Sequence, residues 1–571
     1  MNKRIADIVK KAITDLGLPE GDFNVEFPAD MNHGDYSTNV AMVLASSEKS
    51  SPREIALKIK DKIEESKPDE IEKLEIAGAG FINFYLTDKF FTEETKKINE
   101  TEDFGKGDLM VGKKVLIDYT QPNPFKPFHI GHLMSNAIGE SISRILEWQG
   151  AKVIRANYQG DIGLHVAKAI YGIKVEGGKI LGNNPSEKAQ FIGECYSEGS
   201  DLYDKEPNIK TEIDLMNEKI YAGDSEFEGI YKEGREVTLE AFEEIYKTLG
   251  TKFDKYYFES EVREEGKEIV LENEKKGIFE ISDGAYVFHG EKYNPKLHTR
   301  VFVTSKGLPL YEAKELALTV NKFKDFNPDL SIVTTAVEQQ EYMRVVTEAI
   351  QQIFKQENYA NRMKHINHGM MRFATGKMSS RLGNVITGES LIADSRAEIM
   401  NKIQNRDFTI EEKTEIASVV GVSAIKYSIL KSNTGTDIAY DFDKSISFEG
   451  DSGPYLQYSA VRAQSVIGRS KEVLEGDALK YEPTENEISI ARLIHRFPET
   501  TEKAFKNYAP HIIASYLVHL AGKFSHFYAE NVFIDPNHLD RSAYRIEIAK
   551  AFLRTMKNGL HLLGIKIPSK M

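Results

Sequence analysis

The sequence is poor in cysteine, since its 571 residues include only Cys195. A single cysteine excludes an intrachain disulfide and any zinc site built from several thiolates. No stretch approaches the roughly 18 uninterrupted apolar residues that cross a membrane. The N-terminal stretch MNKRIADIVKKAITDLG mixes acidic and basic side chains along an amphipathic helical pattern, unlike a secretory signal peptide. We therefore expect a cytoplasmic protein with no membrane association and no structural metal.

The composition is that of a soluble globular protein, with 41% hydrophobic and 28% charged residues. The length predicts three or more domains. A net charge of −14 argues against a general nucleic-acid binder, but an average can hide a local patch. Residues 541–571 contain seven Lys or Arg against one acid, Glu547. This basic tail fits either a solvated helix face or a set of phosphate contacts.

The first hundred residues predict a compact α+β domain. Helical spacing covers residues 1–16, 52–66 and 88–99, and residues 80–86 form a strand-like run. Next come a buried-strand pattern at 114–120, a proline-rich loop, a helical pattern at 131–149 capped by Gly150, and a second strand at 151–161. Strand, helix and strand form a βαβ unit, which opens a doubly wound parallel sheet of the Rossmann type.

Charged, helix-rich sequence interrupts this sheet from residue 170 to about 290. Sheet-like segments return at 299–305 and 330–336, and amphipathic helical patterns cover 485–530 and 541–563. We thus predict a multidomain protein with an α+β N-terminal domain, a Rossmann-type α/β core and an all-helical C-terminal domain. The predicted domain ranges are 1–105, 106–435 with a helical insertion at about 170–290, and 436–571.

The loop after the first core strand carries the first candidate motif. Ligands of parallel sheets lie beyond the carboxyl ends of strands, where helix N-termini offer free N–H groups. Lys126, His129 and His132 add donors there for a polyphosphate, and Gly131 lets a nucleotide approach the backbone. Two alternatives remain open: the histidines cap a helix, or they bind a metal, although no third ligand stands at a recognisable spacing.

The second candidate motif, GKMSSRLGNV, follows about 245 residues later. It places Lys377, two serine hydroxyls and Arg381 in a glycine-flanked loop, a cationic arm suited to a triphosphate. Taken alone it fits a surface loop equally well.

Together the two motifs resemble the paired signatures of class I aminoacyl-tRNA synthetases. The resemblance to arginyl-tRNA synthetases runs from about residue 33 to the last residue. It rests on the segments HGDYSTNVAM, AGAGFINFYL, DYTQPNPFKPFHIGHL, ANYQGDIG, LPLYEAKELA, KMSSRLGNV, FEGDSGPYLQYSAVRA and GLHLLGIKIPSKM. The resemblance implies that ATP and L-arginine form arginyl-adenylate and pyrophosphate, after which arginine passes to the 3′-terminal ribose of tRNA(Arg) and AMP leaves.

The resemblance also implies an arginine site. Asn123 and His132 correspond to contacts of the α-amino and α-carboxylate groups, and the pocket wall corresponds to Asp118, Tyr311, Glu315 and Gln339. Such carboxylates and acceptors suit a planar guanidinium, which pairs in a bidentate manner. The family usually has aspartate where Glu315 stands, so an extra methylene must be absorbed here. Without the resemblance, Tyr311 fits core packing and Glu315 a solvated helix charge.

For ATP, which brings Mg²⁺ with it, the implied catalytic residues are Lys126, His129, His132 and Lys377. The implied ATP-binding set is His129, Gly131, His132, Lys377, Met378, Ser379, Ser380 and Arg381. Many class I enzymes have a second lysine where Ser380 stands, and Arg381 could share the phosphate charge. When another amino acid occupies a pocket built for guanidinium, the carboxylates of the pocket stay unpaired. This mismatch discriminates against the wrong amino acid by roughly 10⁴ or more, so we expect no editing domain.

For tRNA, the resemblance assigns the anticodon to the C-terminal domain and the corner of the L to the N-terminal domain. Anticodon bases stack on aromatic partners, for which Tyr455, Tyr458, Phe527 and Tyr528 are candidates, although each also fits core packing. Phosphate candidates are Arg545, Arg554 and Lys557, which we expect on a shared helix face. A monomer is expected.

Three other functions fit the sequence less well. A tRNA-binding paralogue without the chemistry would have no reason to keep His129, His132 and Lys377. Small-molecule adenylyltransferases of the same superfold are generally much shorter. Cysteinyl-tRNA synthetases depend on a zinc site with cysteine ligands, which one cysteine cannot build.

Overall fold

The structure is a computed structural model that describes residues 1–28, 30–373, 387–470 and 476–571. The chain forms two compact units. The first comprises Met1–Gly105, Ser459–Thr500 and Val518–Asn558, and the second comprises Lys106–Tyr458, Thr501–Leu517 and Gly559–Met571. Within the described ranges, no helix is both long enough and apolar enough to cross a membrane.

The N-terminal part of the first unit is a four-stranded antiparallel sheet with helices, as the α+β prediction requires. Its spatial order is β1-β2-β4-β3. Helix α3 starts at a capping box, in which Ser51 and Glu54 each accept from the other's backbone N–H. The elements are α1 (Asn2–Asp15), β1 (Val25–Glu26), β2 (Tyr36–Thr38), α2 (Val40–Glu48), α3 (Pro52–Glu64), β3 (Ile71–Ala77), β4 (Phe81–Leu86) and α4 (Asp88–Glu100).

The second unit holds the parallel sheet and the helices around it. Its strands are β5 (Lys114–Asp118), β6 (Lys152–Gln159), β7 (Lys255–Phe258), β8 (Glu280–Ser282), β9 (Ala285–His289), β10 (Thr299–Val303), β11 (Leu330–Ala336), β12 (Met363–His368), β13 (Met371–Phe373) and β14 (Ile438–Tyr440). Its helices up to residue 445 are α5 (Ile130–Trp148), α6 (Leu164–Val175), α7 (Pro185–Lys205), α8 (Pro207–Ala222), α9 (Ser225–Leu249), α10 (Glu259–Glu274), α11 (Tyr311–Phe326), α12 (Gln340–Ile353), α13 (Gly388–Lys402), α14 (Ile410–Leu430) and α15 (Phe442–Ser445).

Five parallel strands form the central sheet in the order β12-β11-β5-β6-β7. The chain runs outward from β5 to β7 on one side and from β11 to β12 on the other, so the strand order reverses between β5 and β11. This is the Rossmann arrangement, and the prediction of a doubly wound sheet is confirmed. Residues Val115–Ile117 of β5 are fully buried, as expected for a central parallel strand.

The strands from β7 to β10 differ from the sequence prediction, and β8 and β9 lie at the end of the predicted helical insertion. Residues 299–305 were expected to resume the parallel sheet, but β10 pairs antiparallel with β9 in a separate three-stranded sheet. Conversely, β7 lies inside the predicted helical insertion and forms an edge of the parallel sheet. A run of β-branched and aromatic residues predicts a strand but does not identify its partner, and the four residues of β7 are too few to show a period.

The C-terminal part is helical from residue 453 onward in the stretches that the structure describes, apart from loops and a short 3-10 turn at Ala478–Lys480. The amphipathic stretch 485–530 forms three helices. Ring stacking of Phe524 on Phe552, with centroids 3.8 Å apart, joins two helices of the first unit. The helices are α16 (Gly453–Arg469), α17 (Glu485–His495), α18 (Phe497–Asn507), α19 (Pro510–Glu530) and α20 (Leu539–Leu562).

Candidate active site

The predicted site residues of the core lie at the carboxyl ends of β5 and β11, where the strand order reverses; we call this region the switch crevice. Asp118 is the last residue of β5, and the loop after it leads to His129 at the start of α5. Gln339 closes a short 3-10 turn after β11. Helix α11 leads into β11, so its first turn faces the same edge. Open parallel sheets bind ligands at this position.

The histidine pair holds the start of α5 through one nitrogen of each ring. Nδ1 of His129, the N-cap residue, accepts a hydrogen bond from the backbone N–H of Gly131 at 3.1 Å. Nδ1 of His132 accepts from the backbone N–H of His129 at 3.2 Å, and the two rings stack with centroids 3.5 Å apart. Because each Nδ1 is an acceptor, the hydrogen-bond network assigns the proton of each neutral ring to Nε2. Each ring therefore caps the helix and keeps an Nε2–H donor.

Charge at this helix start comes from Lys126. Burial and the positive charge of Lys126 lower the pKa of His129, and burial lowers the pKa of His132 well below its ordinary value of 6.5. Both rings are thus neutral near pH 7. Burial also lowers the pKa of Lys126, whose Nζ lies 5.2 Å from the ring centroid of Tyr196. A lysine and two neutral donors at a helix N-terminus suit a polyphosphate.

Gly131 has a steric role that the sequence did not predict. A Cβ at this position would lie 2.9 Å from Cε1 of His129, so a larger residue would displace the capping ring. Its predicted role in nucleotide approach remains a prediction.

The loop between β5 and α5 is strained and held in place by α5. Thr120, Gln121 and Phe125 have φ values of 76°, 51° and 69°. Residues with a Cβ rarely adopt this left-handed region, and each costs of order 1–3 kcal/mol. Ser135 Oγ accepts from the backbone N–H of Thr120 at 2.9 Å, and Asn136 donates to its hydroxyl at 3.0 Å. Helix α5 thereby fixes the loop that leads to the histidines.

The second motif falls on residues 374–386. Its candidates, Lys377, Met378, Ser379, Ser380 and Arg381, lie outside the described residues, and their roles remain predictions. Both flanks are described. After the motif, Thr387 forms an antiparallel bridge with His129, and the Gly388 N–H donates to the Phe128 carbonyl at 2.6 Å. Before it, strand β13 packs against α5. The chain therefore leaves the motif beside the histidine pair, and it enters the motif from a strand that packs on the same helix.

Buried charges line the other side of the switch crevice. Asp118 is completely buried, and Lys322 donates to its Oδ2 at 2.6 Å. The backbone N–H of Tyr158 and the side-chain amide of Gln121 donate to Oδ1 at 3.2 and 3.0 Å. A second buried pair joins Lys314 and Glu259 at 2.7 Å. Each of these carboxylates has a lysine partner.

Glu315 differs from these two carboxylates. It is 7% exposed, and within the described part of the chain its carboxylate forms neither a hydrogen bond nor an ion pair. Burial, together with the negative charges of Asp118 and Glu259, raises the pKa of Glu315 from 4.5 to about 7, against the opposing effect of Lys322. The alternative of a solvated helix charge is therefore wrong. When Glu315 is ionised, the three carboxylates and two lysines leave one negative charge uncompensated.

The remaining arginine-site candidates are more accessible. Tyr311 is 60% exposed, which excludes the core-packing alternative, and Gln339 is also exposed. Asn123 is half-buried against Gly160, where an added Cβ would lie 2.4 Å from Oδ1 of Asn123 and 3.0 Å from Oε1 of Glu259. The absence of a side chain at Gly160 therefore lets these two oxygens converge at the crevice.

Comparison with known families identifies the core. Residues 99–442, more than half of the chain, match the sequence model described as tRNA synthetases class I (R), catalytic domain. The chain belongs to the arginyl-tRNA synthetase family. Residues 3–86 match the arginyl tRNA synthetase N terminal domain, and residues 456–571 match the DALR anticodon binding domain. The three matches confirm the predicted order of an N-terminal domain, a catalytic core and a helical anticodon-binding domain.

Relatives match over the whole length. The arginine–tRNA ligase of Fusobacterium nucleatum subsp. nucleatum is 34% identical over 581 residues, which cover 100% of this chain and 99% of the relative. That of Borreliella afzelii is 31% identical over 595 residues with the same coverage. The structure of Thermus thermophilus arginyl-tRNA synthetase superposes with a TM-score of 0.82 at 22% identity and covers 100% of both chains, a likeness of fold. The predicted arginine–tRNA ligase activity, which uses ATP, is confirmed by family membership.

The structure corrects the phosphate candidates on α20. Arg545 is 6% exposed, and its guanidinium pairs with the buried Glu487 at 2.6 Å, so it is an internal ion pair rather than a phosphate contact. Arg554 is half-buried and donates to the Asn99 carbonyl, whereas Lys557 is exposed. The shared helix face is also wrong, because nine residues at about 100° each put Arg545 and Arg554 on opposite sides.

The aromatic candidates for anticodon stacking divide as well. Phe527 is 3% exposed and packs on Phe533, with centroids 5.5 Å apart, so it belongs to the core. Tyr528 is half-buried and lies under the Arg462 guanidinium, 5.4 Å from the ring centroid. Tyr455 and Tyr458 are half-buried on α16. Their tRNA roles remain predictions.

Sequence reasoning missed the two lysines and the third acid of the arginyl-tRNA synthetase crevice. Lys322 follows Glu315 by seven residues, a helical spacing that puts both on one face of α11. This spacing could have indicated that Lys322 faces the crevice and pairs with a buried carboxylate. Glu259 lies in the region assigned to the insertion, and no pattern there points to the crevice.

Proposed function

We propose that this chain performs the arginine–tRNA ligase reaction in the switch crevice, and that Glu315 is the principal partner of the substrate guanidinium. The observation that carries this proposal is the uncompensated buried carboxylate of Glu315, with a pKa near 7, beside two carboxylates already paired with lysines. A bound guanidinium supplies the missing positive charge and can donate two parallel hydrogen bonds.

Other groups complete the arginine site. Tyr311 and Gln339 are exposed at the crevice and can form the wall of the guanidinium pocket. Asp118, which Lys322 neutralises, stands behind Glu315 and raises its pKa. Asn123 is the proposed contact of the α-amino group, and His132 that of the α-carboxylate.

ATP is proposed to bind with its phosphates at the start of α5, bringing Mg²⁺ with it. Lys126 and the Nε2–H groups of His129 and His132 donate to phosphate oxygens. Lys377 and Arg381 contact the leaving pyrophosphate. Further ATP contacts come from Met378, Ser379 and Ser380. The arginine carboxylate attacks the α-phosphorus in line, and the bond to the β-phosphate oxygen breaks. Positioning and charge neutralisation, rather than covalent catalysis, lower the barrier.

The second step transfers arginine to tRNA. A hydroxyl of the terminal ribose attacks the carbonyl carbon of the adenylate, and AMP leaves with the bonding electrons. Tyr455, Tyr458, Arg554 and Lys557 are the proposed tRNA contacts. We also propose that the protein acts as a cytoplasmic monomer with domains near 1–105, 106–435 and 436–571.

The test is a charging assay in which total tRNA is incubated with ATP and each of the amino acids in turn. Charging with arginine alone is expected, since a neutral or smaller side chain leaves Glu315 buried and unpaired, which discriminates by roughly 10⁴. Charging with another amino acid, or tRNA binding without charging or pyrophosphate exchange, would contradict the proposal.

A further inference from the structure

An open pocket of about 600 Å³ lies in the second unit at β12, the edge strand of the catalytic sheet. Lys364 and His365 of β12 form one side, and the end of α18 and start of α19 form the other with Lys503, Lys506, Tyr508 and His511. None of the switch-crevice residues lines it, and β12 is separated from β5 by β11. The pocket is therefore distinct from the site proposed for ATP and arginine.

The pocket is basic in a chain whose net charge is −14. Three lysines and no acidic residue line it. Lys506 is paired with Glu502 at 2.6 Å, whereas Lys364 and Lys503 are exposed and form no ion pair within the described residues. His365 does not add charge, because burial lowers its pKa to about 4, and its Nε2 lies 2.7 Å from the Thr335 hydroxyl. Two lysine charges thus face the pocket without a counterion.

Two further features indicate a built site rather than an accidental cluster. Tyr508 has a φ of 50° at the end of α18, where glycine is the usual residue, and Nζ of Lys364 lies 4.4 Å from its ring centroid. The strained tyrosine therefore holds this lysine at the pocket. Nδ1 of His511, in the first turn of α19, is buried and has no hydrogen-bond partner among the described residues. A helix N-terminus favours an anionic ligand, and the neutral His511 ring can donate to that ligand when its proton is on Nδ1.

We propose that this pocket binds a phosphate group, and that the group is a backbone phosphate of the tRNA substrate. The source rests on the proposed function, since an enzyme that charges tRNA must position a long polyanion. The pocket is open to solvent and is lined by lysine, amide and hydroxyl groups. These features suit a phosphate contact that positions the nucleic acid without reading its bases. A free phosphorylated small molecule shares this chemistry and is the other source.

The experiment measures binding of tRNA(Arg) transcript to the full-length protein by filter retention at several salt concentrations. Lys503→Ala and Lys364→Ala are compared with Lys306→Ala, which removes an exposed lysine of the same unit that is paired with Glu218. The loss of one phosphate contact lowers the magnitude of the slope of log K against log salt by about 0.9. At 0.1 M salt this corresponds to an affinity for tRNA that is about eightfold lower. We expect this loss in each pocket variant and wild-type values in Lys306→Ala.

A second arm uses tripolyphosphate, titrated calorimetrically without tRNA. Because the site proposed for ATP also accepts a polyphosphate, the number of tripolyphosphate sites in each variant is compared with that in the wild type. Unchanged tRNA binding together with loss of one tripolyphosphate site in Lys503→Ala would assign the pocket to a free phosphorylated ligand and overturn the tRNA source. Unchanged tRNA affinity and salt slope, with tripolyphosphate binding equal to that of the wild type in both Lys503→Ala and Lys364→Ala, would overturn the phosphate pocket. Because arginine charging by the wild type is scored separately, failure of the pocket is distinguishable from failure of the proposed function.

Discussion

Replacing Glu315 with glutamine removes the buried negative charge of the switch crevice and keeps the shape of the side chain. In the folded protein the pKa of Glu315 is raised from 4.5 to about 7, so the ionised form is disfavoured relative to the unfolded chain. The cost is absent below about pH 4.5 and complete above about pH 7. The difference between 4.5 and about 7, at about 1.4 kcal/mol per pH unit, amounts to about 3 kcal/mol.

Glu315→Gln should therefore stabilise the ligand-free protein by about 3 kcal/mol at pH 8 and by less than about 1 kcal/mol at pH 5. Thermal unfolding midpoints of wild type and variant at the two pH values measure this. In the same variant, the guanidinium of bound arginine loses its buried partner, so the binding of arginine should weaken by about 3 kcal/mol. This corresponds to a rise of about two orders of magnitude in the KM for arginine. Wild-type KM should itself rise about tenfold from pH 8 to pH 6, because only about a tenth of Glu315 is then ionised.

Glu312→Gln is the matched control, since Glu312 lies on the same helix and is equally buried but is bonded to Arg300 at 2.6 Å. Its replacement should lower the unfolding midpoint, because Arg300 loses a charged partner. The reasoning on Glu315 is refuted if the stability difference between Glu315→Gln and wild type is the same at pH 5 and pH 8, or if the variant keeps wild-type KM for arginine.

The remaining predictions concern the phosphate side and tRNA. His129→Asn should lower arginine-dependent pyrophosphate exchange about 100-fold with a near-native unfolding midpoint, because asparagine can cap a helix but lacks the Nε2–H donor. His129→Ala should lower the exchange rate and the unfolding midpoint together. Equal activity of the two variants and wild type would contradict the donor role. Lys377→Ala should lower the activation rate about 100-fold or more with little change in the tRNA dissociation constant, and equal losses in both would remove its assigned role. Exchange should appear only when tRNA is added, as the family resemblance implies, and exchange without tRNA would count against it.

The parts of the core that are periodic in sequence were predictable. Strand β5, helix α5 and strand β6 follow one another with clear spacing, and Gly150, with φ of 90°, lies just past the end of α5 as expected for a helix stop. The position of the histidines beyond a strand follows from this order alone. These contacts are local, so the sequence carries them.

Long-range pairs were not predictable from a single sequence. Lys322 and Asp118 are 204 residues apart, and Lys314 and Glu259 are 55 apart. A lysine in an amphipathic helix is usually solvated, and burial becomes apparent only when the partner strand and helix are in place. The same holds for Arg545, whose buried partner Glu487 lies 58 residues away. Charge in a helical pattern therefore predicts a helix but not what the charge faces.

The two sequence-level interpretations of the histidine pair turn out to be compatible. An imidazole has two nitrogens, and capping occupies Nδ1 in both His129 and His132. Since a neutral ring carries one proton, acceptance at Nδ1 requires a donor at Nε2. Capping thus fixes the tautomer and the ring orientation that phosphate binding needs, and burial keeps both rings neutral so that neither capping contact is lost. An ionised aspartate cap would start the helix equally well but would carry no hydrogen-bond donor for a phosphate.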